Sequence, residues 1–268
     1  MTAPISVDSP PAPPFYRRLP AAHRLSDGHV IYWWMEILLV LSFYGIYTTV
    51  RNSNKSSPQV AREHAYQLMG WQRTLGINIE RSVHEWARSV EPLIIASNYF
   101  YGSLHFVVTI GVAVFVFRKH RDAYPLWRNT LMIATGLALI GFALWPLMPP
   151  RLLPHSYGFV DTLAQYPAFW SFKQEAVNKI SNQYAAMPSV HCAWALWCAC
   201  ILYPRMRHWW SKTLAILYPV GTVTVIVITS NHYLLDAVGG FLVFGIGYAV
   251  ACLITRSGRR PVPRTNET

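Results

Sequence analysis

Six long apolar stretches limit what this chain can fold into more than any other feature of its sequence. A helix needs about 20 apolar residues to cross the roughly 30 Å hydrocarbon core of a bilayer. Stretches of about this length occupy residues 31–50, 92–117, 129–148, 187–203, 213–230 and 237–255. We therefore expect an all-α integral membrane protein whose fold is a bundle of six transmembrane helices.

The composition agrees with this class and excludes others. Of the 268 residues, 53% are hydrophobic and only 13% are charged, whereas soluble domains carry about 25% charged residues. The net charge is +11. The basic residues fall between the apolar stretches instead of on one face of a soluble fold, as a nucleic-acid-binding domain would require. The bilayer is the expected partner, and nucleic acid is not.

The distribution of positive charge predicts the orientation of the helices. Cytoplasmic loops of membrane proteins carry an excess of Lys and Arg. If the N-terminus is cytoplasmic, fourteen of the 23 Lys and Arg residues lie in short inner segments, and the other nine are spread over longer outer loops. We expect a multi-pass protein of the cell membrane with both termini in the cytoplasm.

The chain divides into one membrane domain and two tails. Residues 1–28 and 257–268 are expected to be disordered cytoplasmic tails, and residues 29–256 to form the membrane domain. Within that domain, residues 51–91 place apolar side chains at helical spacing, which predicts interfacial helices in the first outer loop.

A first polar cluster opens the fourth apolar stretch. Pro188 suits the first turn of a helix because its missing N–H would have no helical partner there, and Ser189 and His191 share that turn. The free amides of a helix N-terminus bind anions, phosphate especially. The cluster predicts a phosphate-binding helix start, although a capped helix with an interfacial histidine explains it equally well.

A second cluster, residues 230–236, opens the sixth apolar stretch. His232 and Asp236 are four residues apart, so they lie one above the other on a helix face. A carboxylate there can accept the proton of one ring nitrogen and leave the other nitrogen free as a nucleophile or base. The alternative is a structural pair that anchors two helices. Gly239 and Gly240 are expected to allow close helix packing beside it.

The third cluster, Pro149-Pro150-Arg151, ends the third stretch. The guanidinium of arginine offers a rigid fork of donors that matches phosphate oxygens; an arginine that extends to the membrane interface is the alternative. All three clusters are expected at one membrane depth on the outer face. Phosphoryl transfer through a phosphohistidine needs such a set, because one histidine attacks phosphorus, another protonates the leaving oxygen and cationic donors stabilise charge.

These elements resemble the signature of the type 2 phosphatidic acid phosphatase superfamily of membrane enzymes. Its Pro-Ser-x-His and His-x-x-x-Asp elements match Pro188-Ser189-Val190-His191 and His232-Tyr233-Leu234-Leu235-Asp236. More narrowly, Pro149-Pro150-Arg151 and the His232-Tyr233 pair are similar to the branch that contains the inositol-phosphorylceramide synthases. The resemblance covers about residues 60–255.

The resemblance implies a role for each matched residue. His232 would be the nucleophile, Asp236 its orienting partner and His191 the general acid. Arg151 and the backbone of Ser189 would hold phosphate. The implied fold is a six-helix bundle whose active site lies near the extracytoplasmic surface.

The sequence also departs from the phosphatase members of that superfamily. Val225 and Ile226 occupy the positions of a Ser-Arg pair that those members carry shortly before the nucleophilic histidine, and only Arg151 stands in for their early Lys-x6-Arg-Pro element. The phosphate site is therefore short of cations, which counts against simple phosphomonoesterase activity. The residues that could compensate are Lys173, Lys179, Gln183 and Asn231.

A polar stripe within the second apolar stretch completes the predicted site. Tyr101 and His105 are four residues apart on one helix face, and Asn98 precedes Tyr101 by three. Polar groups at this depth face the interior of a helix bundle. Similar Tyr-x-x-x-His patterns occur in the synthase branch, so we expect these side chains to bind substrate together with Asn231 and Tyr233. A structural hydrogen-bond network is the alternative.

No metal or other cofactor is expected. His105, His191 and His232 could converge, but metal sites usually add carboxylates or cysteines at ligand spacing, and the spacing of Asp236 suits a supporting role. The remaining histidines of the outer loops are expected to be solvated; they are His64, His84 and His155.

The predicted function is a membrane phosphotransferase that acts on a lipid phosphate ester at the extracytoplasmic face. It would pass the head-group phosphate to a polyol or alcohol through a phosphohistidine. Hydrolysis of a lipid phosphate by the same site is the alternative. A membrane protein that only binds or transports an anion is a third interpretation, but inverted repeats and broken helices, which are typical of transporters, are not visible in the sequence.

Overall fold

Helices dominate the computed structural model of the protein. It describes residues 22–25, 30–53, 57–166 and 183–258, with side chains described except at 22–24, 51–53 and 256–258. The chain forms two compact units, Met1–Ser42 and Phe43–Thr268. The candidate site lies in the second unit.

The first unit contains a small antiparallel sheet and the beginning of the first long helix. Strand β1 (Ala22–Arg24) pairs with β2 (Val30–Tyr32), whose β-branched and aromatic side chains favour a strand. Helix α1 (Trp33–Ser53) follows directly. β1 lies inside the tail 1–28 that is predicted to be disordered, so the structure differs from that prediction at these residues. Most of both predicted tails lies outside the described residues.

The loop that follows α1 contains two helices, α2 (Pro58–Thr74) and α3 (Glu80–Arg88). Pro58 takes the first position of α2, where its missing N–H is not needed. Gly76 adopts a φ of 70° in the turn between the helices, a conformation that favours glycine. The buried face of α2 consists of Ala61, Ala65, Leu68, Met69 and Gln72.

The next helices run from the loop into the apolar part of the chain. Helix α4 (Glu91–Tyr99) continues through a π-helical segment, Phe100–Leu104, into α5 (His105–Lys119). Helix α6 (Tyr124–Leu144) follows a short 3-10 turn. Short turns and the four-residue helix α7 (Thr162–Gln165) come next.

Three helices complete the second unit. They are α8 (Val190–Leu202), α9 (Trp209–Ile228) and α10 (Leu234–Gly258). Helix α8 packs against α5, α6, α9 and α10, so it forms the centre of this group of helices. It carries one of the two predicted catalytic histidines.

Five helical stretches among the described residues are long and apolar enough to cross a membrane. Their bounds are Trp33–Val50, Glu91–Lys119, Arg121–Leu144, Trp209–Ile228 and Leu234–Thr255. Each overlaps one of the predicted spans. The chain is thus an all-α integral membrane protein.

The remaining predicted span, the fourth apolar stretch at residues 187–203, differs from the other five. Helix α8 has 13 residues and is about 20 Å long, which is shorter than the hydrocarbon core. It begins only at Val190 because Ser189, its N-cap, has an extended backbone. Pro188 therefore precedes the helix instead of occupying its first turn, and six full spans are not confirmed.

Glycines make room for the start of α8, as the sequence predicts for Gly239 and Gly240. A methyl group added to Gly240 would overlap the carbonyl oxygen of Ser189, and one added to Gly239 would lie 3.1 Å from the Pro188 ring. A methyl group at Gly141 of α6 would overlap the same proline ring. Small residues thus let α6 and α10 approach the segment that carries the first polar cluster.

Candidate active site

The starts of α8 and α10 are joined by two hydrogen bonds at the same end of the helix group. The amide of Ser189 donates to the carbonyl of Asp236 at 2.9 Å, and His232 Nδ1 donates to the carbonyl of Ala186 at 2.8 Å. The loop after α6 joins them, since the amide of Arg151 donates to the carbonyl of Ser230 at 2.9 Å. The three polar clusters of the sequence therefore meet in space.

His232 is held in one tautomer by its surroundings. Besides Ala186, its Nδ1 contacts Asp236 Oδ2 at 3.2 Å. Both partners are acceptors, so Nδ1 carries the proton and the neutral ring keeps a lone pair on Nε2. Asp236 is completely buried, and its Oδ2 also accepts the amide of Tyr233 at 3.0 Å. The predicted contact between His232 and Asp236 is present, but the two residues do not share a helix face, because His232 precedes α10.

The loop that carries His232 is fixed by its own backbone. Ser230 adopts a φ of 54°, which side-chain-bearing residues seldom do. The amides of Asn231 and His232 both donate to the carbonyl of Ile226, at 3.0 and 3.2 Å. This compact turn carries the chain from the end of α9 into α10 and presents the imidazole toward α8.

His191 lies beside His232, with ring centroids 5.8 Å apart. It belongs to the first turn of α8. Its ring stacks on Tyr101, with centroids 4.2 Å apart and planes 18° apart, and lies 4.6 Å from the ring of His105. Two imidazoles from separate parts of the chain therefore lie side by side, together with the predicted tyrosine and third histidine.

Tyr101 and His105 reach His191 from the α4–α5 helix. Tyr101 lies in the π-helical segment Phe100–Leu104, and such segments are frequent at functional sites. His105 is buried, and its Nδ1 is 3.5 Å from the hydroxyl of Tyr218. The predicted common face of Tyr101 and His105 is directed at His191.

Three residues that are predicted to bind substrate have hydrogen-bond partners within the protein. Asn98 exchanges two hydrogen bonds with Thr162, at 2.9 and 3.1 Å. The hydroxyl of Tyr233 donates to the Met148 carbonyl at 3.1 Å. The third residue is Asn231, whose side-chain amide donates to Thr229 Oγ1 at 2.8 Å. All three side chains are buried. Because buried polar groups require partners, these hydrogen bonds stabilise the fold around the site.

Comparison of the sequence with protein-family models shows which family the chain belongs to. A family model described as the PAP2 superfamily matches residues 66–250, which include both histidine elements and more than half of the chain. The chain belongs to the PAP2 superfamily. Members of that superfamily are phosphatases or phosphotransferases, so the protein is an enzyme of this class. No curated protein matched the sequence, and no solved structure did.

The PAP2 match identifies the superfamily but not the branch within it. The superfamily rests on the family-model match, whereas the inositol-phosphorylceramide synthase branch rests on the sequence motifs alone. Ile226, one of the two positions where PAP2 phosphatases carry their Ser-Arg pair, is buried in the last turns of α9. Of the residues that could compensate, Lys173 and Lys179 lie outside the described residues.

Arg151, the predicted phosphate ligand of this PAP2 enzyme, already has a carboxylate partner. Its Nη1 lies 2.7 Å from Asp161 Oδ2. Its Nε is buried and has no hydrogen-bond partner among the described residues. Asp161 is held in turn, since its Oδ1 caps α7 by accepting two amides. The backbone hydrogen bond to Ser230 places Arg151 beside the His232 loop, and the ion pair with Asp161 offsets part of its charge.

Ser189 differs from its predicted role in one respect. Its backbone N–H, which is expected to bind phosphate, donates to the Asp236 carbonyl, and the residue is completely buried. An anion at this helix start would therefore have to bind through other groups than the amide of Ser189.

His84 corrects the prediction that it is a solvated loop residue. It is completely buried. Its Nδ1 donates to the Ile228 carbonyl and to Ser230 Oγ, each at 2.7 Å, and its Nε2 accepts the amide of Val160 at 3.2 Å. A ring nitrogen that accepts an amide proton belongs to a neutral imidazole, and burial, which lowers the pKa of His84, favours the same state. The ring ties α3 to the loop before His232.

The other two loop histidines lie apart from this network. His64 Nδ1 donates to the Pro146 carbonyl at 2.8 Å, and its ring stacks on Trp145 with centroids 3.9 Å apart. His155 is exposed, as predicted. In the part of the chain that the structure describes, no three His, Cys, Asp or Glu side chains are grouped to hold a metal ion.

Proposed function

We propose that this PAP2 enzyme is a lipid phosphotransferase that works through a phosphohistidine at His232. One observation carries the proposal: two acceptors bind the proton on His232 Nδ1 and leave Nε2 as the nucleophile. The ring of a second histidine, His191, lies beside it, with ring centroids 5.8 Å apart. An imidazole with one fixed proton and one free lone pair is what covalent catalysis requires.

In the first step, Nε2 of His232 attacks the phosphorus of a lipid phosphate ester. The Nε2–P bond forms and the bond from phosphorus to the lipid oxygen breaks. His191 donates its proton to the departing oxygen. The ring of His232 becomes positively charged, and the buried carboxylate of Asp236 stabilises it through Nδ1–H.

In the second step, the hydroxyl of a polyol or alcohol attacks the same phosphorus. His191, now neutral, accepts the hydroxyl proton, the Nε2–P bond breaks and both histidines return to their starting states. Water in place of the alcohol would give hydrolysis. The site itself thus permits both outcomes, and the acceptor decides between them.

The shortage of positive charge favours transfer of a substituted phosphate. A phosphate that carries an organic group has one fewer ionisable oxygen than a phosphate monoester, so it needs less cationic compensation. Arg151 shares its charge with Asp161, and the positions of the PAP2 Ser-Arg pair hold Val225 and Ile226. Tyr101 and His105, next to His191, supply further groups for an organic substituent.

The same proposal includes the arrangement in the membrane. Helix α8 crosses the membrane in addition to the five longer stretches and brings the number of crossings to six, and α2 and α3 lie at the outer interface. An even number of crossings keeps both termini on one side, which the Lys and Arg distribution assigns to the cytoplasm of a cell membrane. The starts of α8 and α10, and the site with them, then face away from the cytoplasm.

Product analysis tests the proposal. The purified protein in lipid nanodiscs is given a phospholipid labelled in its head-group phosphate, with and without inositol as acceptor. We expect a new labelled phosphodiester only when the polyol is present, and none from the His232→Asn variant. The exposed His155→Asn variant is the matched control and should retain full activity. Labelled head-group phosphate released from the lipid in both reactions, with no new phosphodiester, would support hydrolysis instead; no product and no covalent adduct would contradict the proposal.

A further inference from the structure

The first turn of α10 is held by side chains from the two loop helices. The amide of Leu234 donates to Glu80 Oε1 at 2.9 Å, and the amide of Leu235 donates to Gln72 Oε1 at 3.2 Å. Gln72 Nε2 also donates to Glu80 Oε1. We call these two side chains the Gln72–Glu80 pair. Residues more than 150 positions earlier in the chain thus cap this helix.

The Gln72–Glu80 pair is buried, which makes its placement costly unless it is compensated. Gln72 is 0% exposed and Glu80 is 2% exposed. A buried carboxylate needs hydrogen bonds or positive charge around it, and a helix start supplies both through its free amides and partial positive charge. The pair therefore binds at the start of α10 in place of solvent.

The turn that the pair holds is the turn that orients His232. Directly before Leu234, the amide of Tyr233 donates to Asp236 Oδ2, the oxygen that also contacts His232 Nδ1. Three successive amides of this turn thus donate to three buried side chains. A shift of the turn would move Asp236 relative to the imidazole and change the direction of Nε2.

The other side of the His232 loop is held from the same helices. His84, one turn after Glu80 on α3, donates to Ile228 and Ser230, which precede His232 in the chain. The Gln72–Glu80 pair accepts from the two amides of α10 that follow His232. His232 therefore lies between two fixed points that α2 and α3 supply. These loop helices act as a scaffold of the nucleophile.

We propose that Glu80 and Gln72 are positioning residues for His232. The proposal rests on the phosphohistidine mechanism proposed above. Neither side chain needs to touch substrate; they act by fixing the turn that carries Asp236. Because a misplacement of about 1 Å can lower a rate about 100-fold, loss of the pair should slow the chemical step and leave substrate binding nearly unchanged.

Kinetics of four variants test this proposal. Glu80→Ala removes the acceptor of Leu234, Glu80→Gln keeps an acceptor oxygen, and Gln72→Ala removes only the second bond. Glu85→Ala, which breaks an exposed ion pair on the same helix, is the control. We expect phosphoenzyme formation about 100-fold slower in Glu80→Ala and about 10-fold slower in Gln72→Ala, with KM within about threefold. Glu80→Gln should recover most of the rate, and the control should match wild type.

A substrate-free measurement separates this proposal from the proposed function. Hydrogen exchange of the amides of residues 233–236 should be faster in Glu80→Ala than in wild type and Glu85→Ala, whether or not the enzyme forms a phosphohistidine. Unchanged exchange would overturn the positioning role, as would a Glu80→Gln variant as slow as Glu80→Ala. If Glu80→Ala does not fold, Gln72→Ala decides by both measurements. Faster exchange in an enzyme that never forms a phosphohistidine would count against the mechanism alone.

Discussion

The two site histidines, one in the first turn of α8 and the other just before α10, are held in different ways. At the start of α10, His232 is fixed by directional hydrogen bonds, with two acceptors on Nδ1. At the start of α8, His191 is surrounded by rings, with centroid distances of 4.2 Å to Tyr101 and 4.6 Å to His105. One imidazole is locked in a tautomer, and the other is stacked on Tyr101 with the tilted ring of His105 beside it.

This difference matches the two proposed tasks. A nucleophile must keep one tautomer and one direction through both steps, and bonds to fixed acceptors enforce this. A general acid must lose and regain a proton in each cycle. An aromatic face can hold an imidazole in both states, and it attracts the charged form. The comparison therefore predicts that substitutions at the two helix starts will lower the activity in distinguishable ways.

The largest effect is expected from His232→Asn. An asparagine amide is not nucleophilic, so turnover should fall by at least about 10⁴-fold and the phosphoenzyme should not form. Rapid-quench assays with labelled lipid measure both quantities. A variant that still turned over at a tenth of the wild-type rate would assign the nucleophile elsewhere.

His191→Asn should have the next largest effect, between about 100- and 10,000-fold, because it removes proton transfer to the leaving oxygen. The loss should shrink when the lipid is replaced by an aryl ester whose acidic leaving group needs no proton. Wild type should give a bell-shaped pH profile, and the variant should lose the alkaline limb. An equal loss with both leaving groups would argue that His191 is not the acid.

Asp236→Asn should lower the rate about 100-fold by releasing His232 from its orientation. KM should change little because the carboxylate is buried away from substrate. Steady-state kinetics with phosphoenzyme trapping separate the two quantities. A rise in KM with an unchanged kcat would instead place Asp236 in binding.

Tyr101→Leu probes the aromatic side of the comparison and should cost less. One ring pair contributes about 0.5–1.5 kcal/mol, so we expect a rate loss of about tenfold or less. Tyr101→Phe keeps the ring and should stay close to wild type. If Phe were as slow as Leu, the hydroxyl would be the functional group, and the stacking interpretation would fail.

The smallest effect concerns stability and His84. Because burial lowers the pKa of His84 in the folded protein, the unfolded chain binds more protons below about pH 6.5, and the stability from this residue is lost as the pH falls. We expect the unfolding temperature to drop by about 2–4 °C between pH 7 and pH 5. His84→Gln should flatten this dependence; an unchanged slope would contradict the assignment.

The sequence predicted the features that depend on neighbours along the chain. Apolar runs located five membrane-crossing helices, and the four-residue spacing placed Asp236 beside His232. It could not predict that Ser189 would be extended, because an apolar run does not reveal where a helix begins. The short length of α8 was missed for that reason.

Partners that are distant in sequence were also missed. Asn98 looks like a free polar group until Thr162, 64 residues later, occupies its amide. His84 looks solvated until the chain returns to Ile228, 144 residues later. Arg151 was predicted as a phosphate ligand, but its partner Asp161 was not. Such contacts follow from the packing of whole helices, which local spacing does not encode.

Site mapping of the covalent adduct tests the central claim most directly. The enzyme is mixed with a lipid phosphate ester, quenched in base to preserve an acid-labile phosphoramidate, digested and analysed by tandem mass spectrometry. The account predicts phosphorus on the ring of His232 and nowhere else. Phosphorus on any other side chain, or no adduct in an enzyme that turns over, would contradict it.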